Sequence, residues 1–516
     1  MSPLRRPMPF LLLLFLLGAP AVQASRYEKL VSQLGKDAEK EVVQVTSALV
    51  AFRTVSAGGK SAAPEFRKMR GYLQRWAKQH GFDFRAVGTD DVFEIGWGRG
   101  PVKLALVFHG DVVPAPRHEW SRDPFKVHVA DGRLFGRGVE DDKGPIAAAM
   151  TAMAGAKRAG LRPDGRILLI IGNGEENDWG PMRRYAESAP PMTHVVSVDS
   201  GFPVIAGQSG FVAFALRAKA DGVAPEQDGL WLEVVDATAG EFLTQVPGRA
   251  SMTLRVHGRS AAEAEAEVRR VIAALREAGR AALQAEVTKQ EDGTLKVVTS
   301  GRAVHASGAE HGHNALWDLS ALAAKLPLRE NGTARLLKVV ASHFDGDHHG
   351  RKLGLYYEDT LMGPLLVAPT VLRTEKGEAV LRVNMRRPQG KDAEAWNRSL
   401  DAAAALIAKA SGGEVTELTD QRYSGDPHLA EVSGPLVQKL LDIYRKHRPG
   451  DADPKPGAIR GGTYGRLFKG AVDFGPAFPG EPYTGHAPDE SISIGNLETL
   501  TLMLADAMYE LALKKD

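Results

Sequence analysis

Three short and almost wholly apolar segments, each followed at once by acidic or histidine residues, constrain the fold of this chain more than any other feature. They occupy residues 103–108, 166–171 and 195–198. Strands that are buried on both faces of a sheet form continuous apolar runs, whereas half-exposed strands alternate. An alanine- and methionine-rich helical pattern, residues 145–156, separates the first two segments. This order predicts an α/β fold, with a mostly parallel sheet flanked by helices.

Histidine and carboxylate side chains follow each predicted strand. His109 and Asp111 follow the first, Glu175 and Glu176 the second, and Asp199 the third. Ligands bind at the carboxyl ends of the strands of an open parallel sheet, so we expect these side chains to share one edge. Because the chain contains no cysteine, a metal there would have imidazole and carboxylate ligands, which suit zinc, manganese or cobalt.

Two further segments carry candidate ligands, the loop 136–144 with Asp141 and the segment 485–490 with His486. Each acidic group has a simpler interpretation, since carboxylates also begin helices and line solvated loops. Their joint occurrence at three strand ends favours a metal site. Within the adjacent glutamate pair, one carboxylate can bind a metal while the other accepts a proton from activated water. The acid- and histidine-rich segment 345–349 is instead interpreted as a polar turn.

The sequence pattern changes after the third predicted strand. Residues 207–423 alternate short strands, such as 251–256, with amphipathic helices, such as 261–278. This pattern predicts an inserted α+β lid domain. Residues 25–206 and 424–516 are then the first and second parts of the catalytic domain.

The N-terminus has the pattern of a secretory signal. Arg5 and Arg6 precede the apolar residues 10–17 and small residues that end at Ala24. This predicts a signal peptide, residues 1–24, and a secreted protein of the bacterial periplasm. A membrane anchor is the alternative, but a span needs about 20 apolar residues. The formal net charge of +2 gives no argument for binding nucleic acid or an acidic membrane.

The chain resembles a known family in nine ordered motifs. They are HGDVVP (109–114), GRGVEDDKGP (136–145), GNGEEN (172–177), VDSGFP (198–203), VHASGAEHGHNA (304–315), NMRRP (384–388), GGTYGR (461–466), FGPAFPG (474–480) and HAPDE (486–490). The family is that of the two-zinc metallopeptidases, which holds aminoacylase, carboxypeptidase G and succinyl-diaminopimelate desuccinylase. DDKGP, Asp199, GGTY and FGPAFPG are most similar to its PepV-type dipeptidase branch.

The resemblance implies two divalent metal ions per chain, zinc first, with manganese or cobalt as alternatives. His109, Asp141 and Asp199 would hold one ion. Asp141, Glu176 and His486 would hold the other, so that Asp141 bridges the two. The resemblance also implies a cis peptide bond after Asp141.

The resemblance also implies catalytic and substrate-binding roles. Glu175 would be the general base, and Asp111 would orient the ring of His109. In the lid, His305 would stabilise the oxyanion and Arg386 would anchor the substrate carboxylate. Further expected substrate-binding positions are Thr244, Asn384, Gly461, Gly462 and Thr463. The PepV type carries Asn where this chain has Thr244, which bears on dipeptide specificity.

The resulting prediction is a secreted dipeptidase that cleaves dipeptides or very short peptides. An N-acyl-amino-acid deacylase or a carboxypeptidase of the same fold is the first alternative. A non-catalytic periplasmic solute- or metal-binding protein is the second, although it would not need both Glu175 and Glu176. The expected partner is a small peptide, with no nucleic acid and no membrane after signal removal. By these boundaries the lid has roughly 200 residues, which resembles the larger lid type that completes the active site within one chain. This resemblance favours a monomer over a dimer and a His305 that serves its own chain.

Overall fold

The structure is a computed structural model that describes residues 18–56, 63–219, 229–375 and 378–513. The chain divides into two compact units. Unit one is Met1–Ala206, Ala430–Pro456 and Thr463–Asp516, and unit two is Gly207–Leu429 and Gly457–Gly462. The apolar run of the expected signal peptide lies outside the described residues. Among the described helices, none combines the length and apolar character that crossing a membrane requires.

The elements are numbered along the chain. The α-helices are α1 (Gly18–Val50), α2 (Ala63–His80), α3 (Lys143–Arg158), α4 (Gly180–Ser188), α5 (Ala261–Glu277), α6 (Ala315–Ala323), α7 (Gly332–His343), α8 (Ala393–Ala410), α9 (Pro435–His447) and α10 (Ile494–Met508). The strands of unit one and its border are β1 (Asp83–Val87), β2 (Val92–Gly98), β3 (Val102–His109), β4 (His128–Ala130), β5 (Arg133–Phe135), β6 (Arg166–Gly172), β7 (Met192–Ser197), β8 (Ser200–Gly201) and β9 (Ile205–Gln208). The next strands are β10 (Gly210–Lys219), β11 (Trp231–Ala239), β12 (Arg249–His257), β13 (Gln284–Lys289), β14 (Leu295–Ser300), β15 (Glu358–Asp359), β16 (Gly363–Pro364), β17 (Leu366–Glu375), β18 (Glu378–Arg387), β19 (Val415–Glu417), β20 (Tyr423–Ser424) and β21 (His428–Leu429). The last are β22 (Gly457–Ile459), β23 (Val472–Asp473), β24 (Pro476–Ala477) and β25 (Ser491–Ser493).

The main sheet of unit one runs in the order β1-β2-β6-β3-β7-β23-β9. Its centre is parallel, because β3 pairs in parallel with both β6 and β7, and β23 pairs in parallel with β7. Antiparallel pairs border this centre, β1 with β2 and β2 with β6 on one side and β9 with β23 on the other. The predicted α/β class, a sheet flanked by helices, is confirmed, and the parallel pairs at the centre of this sheet include all three strands whose ends carry the candidate site.

Both faces of this sheet are covered, which explains the continuous apolar runs. Leu104 and Leu106 of β3 belong to a core that includes residues of α1, α3 and α10. Ala105 and Val107, which point to the opposite face, pack in a second cluster with residues of α4. Burying a leucine side chain stabilises the fold by about 1.5–3 kcal/mol, so both sets of alternate positions favour apolar residues.

Helix α3 packs closely because its side chains are small. Nearly all of its residues are buried, from Lys143 to Ala156. A Cβ atom at Gly155 would lie 2.3 Å from Cδ2 of Leu34 in α1. The alanine-rich composition that predicts this helix therefore also sets its close approach to α1.

Unit two is built on an antiparallel sheet in the order β13-β14-β12-β11-β17-β18-β10-β19. Helices α5, α6, α7 and α8 share its hydrophobic core. Helix α5 begins with a capping box, in which Ser260 accepts from the main-chain N–H of Glu263 and the Glu263 carboxylate accepts from that of Ser260. The helix at 261–278, predicted from amphipathic periodicity, corresponds to α5.

Candidate metal centre

The carboxyl ends of three neighbouring strands bring the predicted ligands to one edge of the sheet in unit one. Strand β3 ends at His109, while Glu175 and Glu176 follow β6 and Asp199 follows β7. His109 pairs in register with Gly172, the last residue of β6. The ends of adjacent parallel strands are therefore aligned, and the side chains that follow them meet.

Asp141 lies between two histidines. Its Oδ1 is 2.7 Å from Nε2 of His109, and its Oδ2 is 3.1 Å from Nε2 of His486. Nε2 of His109 is also 3.5 Å from Oδ1 of Asp199, and Nε2 of His486 is 2.8 Å from Oε1 of Glu176. The two oxygens of one carboxylate thus face two separate groups of side chains. This is the arrangement expected of a carboxylate that bridges two cations.

The side chains at this edge fit divalent cations. In each of two sets of three residues, the ligand atoms lie within 4.8 Å of one another: His109, Asp141 and Glu176 form one set, and His109, Asp142 and Asp199 form the other. These sets divide the residues differently from the predicted ligand sets, because Glu176 groups with His109, Asp142 joins Asp199, and His486 belongs to neither. Both sets combine imidazole nitrogen with carboxylate oxygen, which are ligands that zinc, manganese and cobalt accept.

The pKa values of the carboxylates also support a cation site at this edge. Burial raises the pKa of Asp199 to about 7, and the charge of Asp141 adds to that shift. Burial and the charge of Asp199 raise the pKa of Glu175 well above its ordinary value. A bound dication would offset this repulsion between buried carboxylates. A solvated acidic loop, the simpler interpretation, does not describe Glu175 and Asp199, which are only partly exposed.

Asp111 serves the site through two different groups. Its main-chain carbonyl oxygen accepts a hydrogen bond from Nδ1 of His109 at 2.9 Å, which leaves Nε2 facing Asp141. Its carboxylate lies farther from that ring, with Oδ1 at 3.7 Å from Nδ1. Instead, Oδ1 and Oδ2 accept the main-chain N–H groups of Glu175 and Glu176, both at 3.1 Å. The expected orientation of the ring thus comes from the carbonyl, and the carboxylate holds the glutamate pair.

Asp142 is a part of the site that sequence reasoning did not single out. The peptide bond between Asp141 and Asp142 is cis, as the resemblance implies. Oδ2 of Asp142 accepts the main-chain N–H of His109 at 3.0 Å, while Oδ1 is buried without a hydrogen-bond partner among the described protein atoms. Its adjacency to Asp141 in the DDKGP motif was the available signal.

Two tyrosines also reach the site without having been predicted. The hydroxyl of Tyr483 donates to Oδ2 of Asp141 at 2.6 Å. The hydroxyl oxygen of Tyr464 accepts the main-chain N–H of Gly174 at 3.1 Å, just before the glutamate pair. Burial raises the pKa of Tyr464 well above its ordinary value, so its hydroxyl stays protonated. Neither tyrosine follows a predicted strand, so the positions of the strand ends do not indicate either residue.

Asn384 and Arg386 form a pair within unit two. They occupy alternate positions of β18, so their side chains lie on one face of the strand. Nε of Arg386 donates to Oδ1 of Asn384 at 3.1 Å. The guanidinium carbon lies 5.1 Å from the ring centroid of Phe211. These contacts fix the plane of the guanidinium group.

His305 and Thr244 lie on adjoining segments of unit two. The main-chain N–H of Ala306 donates to the carbonyl of Thr244 at 2.7 Å, and Gln245 forms a β-bridge with His305. Nδ1 of His305 is 2.6 Å from Oγ of Ser307. His305 also precedes a 3-10 helix that begins at Ala306. The local turn, rather than a strand, therefore orients this imidazole.

The GGTYGR motif is divided between the units. Gly461 and Gly462 belong to unit two, and Thr463 belongs to unit one. The hydroxyl of Thr463 donates to Oδ1 of Asp473 at 2.6 Å and accepts from the main-chain N–H of Gly465 at 3.1 Å. The second of these bonds caps the 3-10 helix that begins at Tyr464. The Thr463 residue is only 2 % exposed.

The segment 345–349 is a polar turn, and that prediction is confirmed. Oδ1 of Asp347 accepts the main-chain N–H of His349 at 3.1 Å, and its Oδ2 accepts that of Lys352 at 2.7 Å. Nδ1 of His349 donates to the carbonyl of Leu365 at 2.9 Å. Among the residues that the structure describes, neither group of metal-ligand atoms includes this turn.

Sequence comparison provides independent information on this chain. A family described as peptidase family M20/M25/M40 matches residues 105–510. The YtjP protein of Bacillus subtilis (strain 168), provisionally assigned as a dipeptidase, is 31% identical over 419 residues, which are 81% of this chain and 85% of the relative. The Beta-Ala-Xaa dipeptidase of Lactobacillus delbrueckii subsp. lactis is 30% identical over 451 residues, which are 84% of this chain and 87% of the relative.

Solved structures share the fold. Human carnosine dipeptidase 1 superposes with a TM-score of 0.56 at 14% identity, covering 94% of this chain and 98% of that chain. The dipeptidase Dug1p from Saccharomyces cerevisiae superposes with a TM-score of 0.52 at 13% identity, covering 94% and 98%.

Proposed function

The chain belongs to peptidase family M20/M25/M40 and is a metallopeptidase, and from this premise we propose that it is a two-metal dipeptidase acting on dipeptides or very short peptides. The single observation that carries the metal part is the position of Asp141, whose two oxygens face two ligand groups. The dipeptidase names of two relatives that align over more than four fifths of this chain support the substrate class.

We propose that His109, Asp141 and Asp199 hold one cation and that Asp141, Glu176 and His486 hold the other. Zinc is the proposed metal, with manganese or cobalt as alternatives. Two bound divalent cations supply Lewis acidity that polarises the scissile carbonyl and lowers the pKa of water.

Glu175 is the proposed general base. It accepts a proton from the water that attacks the scissile carbonyl and passes that proton to the leaving amine. Its main chain is held at both ends, because its N–H donates to Asp111 and its carbonyl accepts from the indole of Trp179 at 2.6 Å. Asp111 is thus a positioning residue for the base as well as for His109.

Unit two is proposed to bind the substrate. Arg386 has a planar guanidinium group that suits a free C-terminal carboxylate, and Asn384 fixes its orientation. His305 is proposed to donate to the oxyanion, an effect worth about 3 kcal/mol in comparable sites. Thr244, Gly461 and Gly462 are proposed to border the same substrate. A carboxylate anchor limits the substrate on its C-terminal side, which favours very short peptides.

The test is a small panel of free dipeptides, their N-acetyl forms and their C-terminal amides, with purified protein reconstituted with zinc. We expect hydrolysis of the free dipeptides and much slower hydrolysis of both blocked forms. Faster hydrolysis of N-acyl amino acids would identify a deacylase instead. No hydrolysis of any peptide, with both metals bound, would favour a binding protein.

We propose that one chain forms a complete site, so that His305 serves its own subunit. Two variants test this, His305→Ala and Glu175→Gln, each expected to be nearly inactive alone. Mixing them should not restore activity. Substantial recovery in the mixture would place His305 in a partner's site.

We also propose export to the periplasm with cleavage after Ala24. The proposal rests on the sequence pattern of Arg5 and Arg6, the apolar residues 10–17 and the small residues that end at Ala24. The N-terminal sequence of protein from a periplasmic extract should begin at Ser25. A cytoplasmic protein that retains its first residues would contradict the proposal.

A further inference from the structure

Two glutamates beside the proposed ligands have no part in the mechanism above. Glu140 directly precedes Asp141, and Glu490 follows His486 in the HAPDE motif. Both are buried in unit one, with Glu140 5 % exposed and Glu490 fully buried. A buried carboxylate needs hydrogen-bond donors, so the position of its donors shows what it stabilises.

The donors to Glu490 come from the loop that carries Asp141. Oε1 of Glu490 accepts the main-chain N–H groups of Glu140 at 2.9 Å and of Asp141 at 3.1 Å. Its Oε2 accepts the main-chain N–H of Gly138 at 2.9 Å and Nη1 of Arg137 at 2.7 Å. Both carboxylate oxygens are therefore occupied, and one of the bonds is made by the ligand residue Asp141 itself.

The donors to Glu140 come from the loop that carries His486. Its Oε2 accepts the main-chain N–H groups of Thr484 at 2.7 Å and Gly485 at 3.1 Å. The Thr484 hydroxyl lies 2.8 Å from the same oxygen. These three contacts converge on one oxygen, in contrast to those of Glu490. The last N–H belongs to the residue immediately before His486.

The two contacts are reciprocal. The Asp141 loop supplies a carboxylate to the main chain of the His486 loop, and the His486 segment supplies one to the main chain of the Asp141 loop. Asp141 and His486 are far apart in the sequence, yet Oδ2 and Nε2 of their side chains are 3.1 Å apart. The hydrogen bonds of Glu140 and Glu490 join the two segments that carry Asp141 and His486.

We propose that Glu140 and Glu490 are positioning residues that together set the separation of the ligands Asp141 and His486. This inference rests on the proposed function, because it assumes that Asp141 and His486 bind cations. The two glutamates have unequal effects. Glu490 holds the loop of Asp141, which both cations share, whereas Glu140 holds the loop of His486, which serves one cation. A general loss of stability would not produce that asymmetry.

The experiment is a titration of metal-free protein with zinc alone, followed by calorimetry and by competition with a chelator. Substituting groups that orient metal ligands commonly weakens metal affinity about 10- to 100-fold. We therefore expect Glu490→Gln to weaken the binding of both zinc ions. The amide of glutamine has one acceptor oxygen, so it cannot accept the hydrogen bonds that both carboxylate oxygens of Glu490 accept. Glu140→Ala should weaken only one ion, the same one that His486→Ala removes.

A conservative variant separates hydrogen bonding from packing. Because the contacts of Glu140 converge on one oxygen, Glu140→Gln can keep that acceptor and should bind zinc within a few-fold of the wild type. The matched control is Glu481→Gln. Glu481 is an exposed carboxylate that lies shortly before Thr484 in the chain and forms an ion pair with Arg133. That control should bind both ions unchanged.

The outcomes are distinct from those of the proposed function. If the wild type binds no zinc, the proposed function fails before this inference is tested. If the wild type binds two ions, and Glu490→Gln and Glu140→Ala bind both ions as tightly as the wild type does, the inference is wrong. Equal weakening of both ions in both variants would also overturn it. Should either variant fail to fold, Glu140→Asp and Glu490→Asp decide, since the shorter side chain draws the carboxylate away from its donors. Glu140→Asp should weaken the binding of only the ion that depends on His486, and Glu490→Asp the binding of both ions.

Discussion

Two segments of this chain are rich in acidic residues, and only one of them lies in the candidate metal centre. In the turn 345–349, Asp347 accepts from His349 and Lys352 a few residues away, and Asp345 forms an ion pair with Arg280, so both acids have donors without a metal. The loop 136–144 instead places Asp141 against His109 and His486, which come from distant parts of the chain. The composition of a single segment is thus a poor guide to a metal site. The convergence of acidic and histidine side chains from separate segments is a better one.

The contrast is tested most severely by removing a ligand supplied by a distant segment. His486→Ala should reduce bound zinc from two ions to one per chain and lower the peptidase rate to background. Elemental analysis of the purified variant and a dipeptide assay measure both effects. His118→Ala, at a histidine whose side chain is 82% exposed, is the matched control and should keep both ions. Two tightly bound ions in His486→Ala would remove His486 from the centre.

The glutamate pair separates binding from catalysis at the same edge. Glu175→Gln should keep both ions and lower kcat by about 10²- to 10⁴-fold, the usual contribution of a general base. Glu176→Gln should lose an ion, because Glu176 lies with His486 beside Asp141. Metal content and kcat are measured on both variants. Equal metal loss in the two would show that their roles are not separate.

A smaller effect is expected in unit two, outside the turn. Arg386→Lys should raise KM for free dipeptides about 10- to 100-fold with little change in kcat. Lysine cannot form the bidentate contact, and a hydrogen bond to a charged group is worth about 1.5–3 kcal/mol. The preference for a free dipeptide over its C-terminal amide should narrow accordingly. An unchanged preference would exclude Arg386 as the carboxylate anchor, and Arg217→Lys, at an exposed arginine, is the control.

The smallest effect is expected in the turn itself. Asp347→Ala removes acceptors for two main-chain N–H groups and should lower the free energy of unfolding by about 1 kcal/mol. Zinc content and kcat should not change. Thermal melting and elemental analysis measure the two quantities. A loss of bound metal would mean that the turn resembles the loop 136–144 more than its geometry indicates.

Much of the catalytic framework could be predicted from the sequence because its strands are buried on both faces. The apolar runs at 103–108 and 166–171 fall within β3 and β6, and the residues after them are those that meet in the structure. Helix α7 was not predicted, although Asn331 caps it by accepting from Ala334. Strands β1 and β2 were also missed, since the antiparallel pairing at this border of the sheet depends on tertiary contacts rather than on a local pattern.

The parts of the site that escaped prediction share one cause. Asp142, Tyr483 and the Glu140–Glu490 pair act through contacts between segments that are distant in the chain, and no periodicity marks such contacts. The resemblance indicated the proposed ligand residues but not the contacts that hold them in place. Asp111 illustrates the difference, because its expected carboxylate contact with His109 is made by its carbonyl.

The carboxylate of Asp111 has a consequence for how this segment can change during evolution. Its two oxygens accept the consecutive N–H groups of Glu175 and Glu176, so a single side chain fixes both glutamates. An insertion between those glutamates, or a shift of one position, would separate the proposed base from the proposed ligand and break two hydrogen bonds at once. The adjacency of the two acids is therefore a length constraint on the loop as well as a chemical requirement. An insertion elsewhere in the loop would leave the spacing of these two N–H groups unchanged, whereas one within the dipeptide would not.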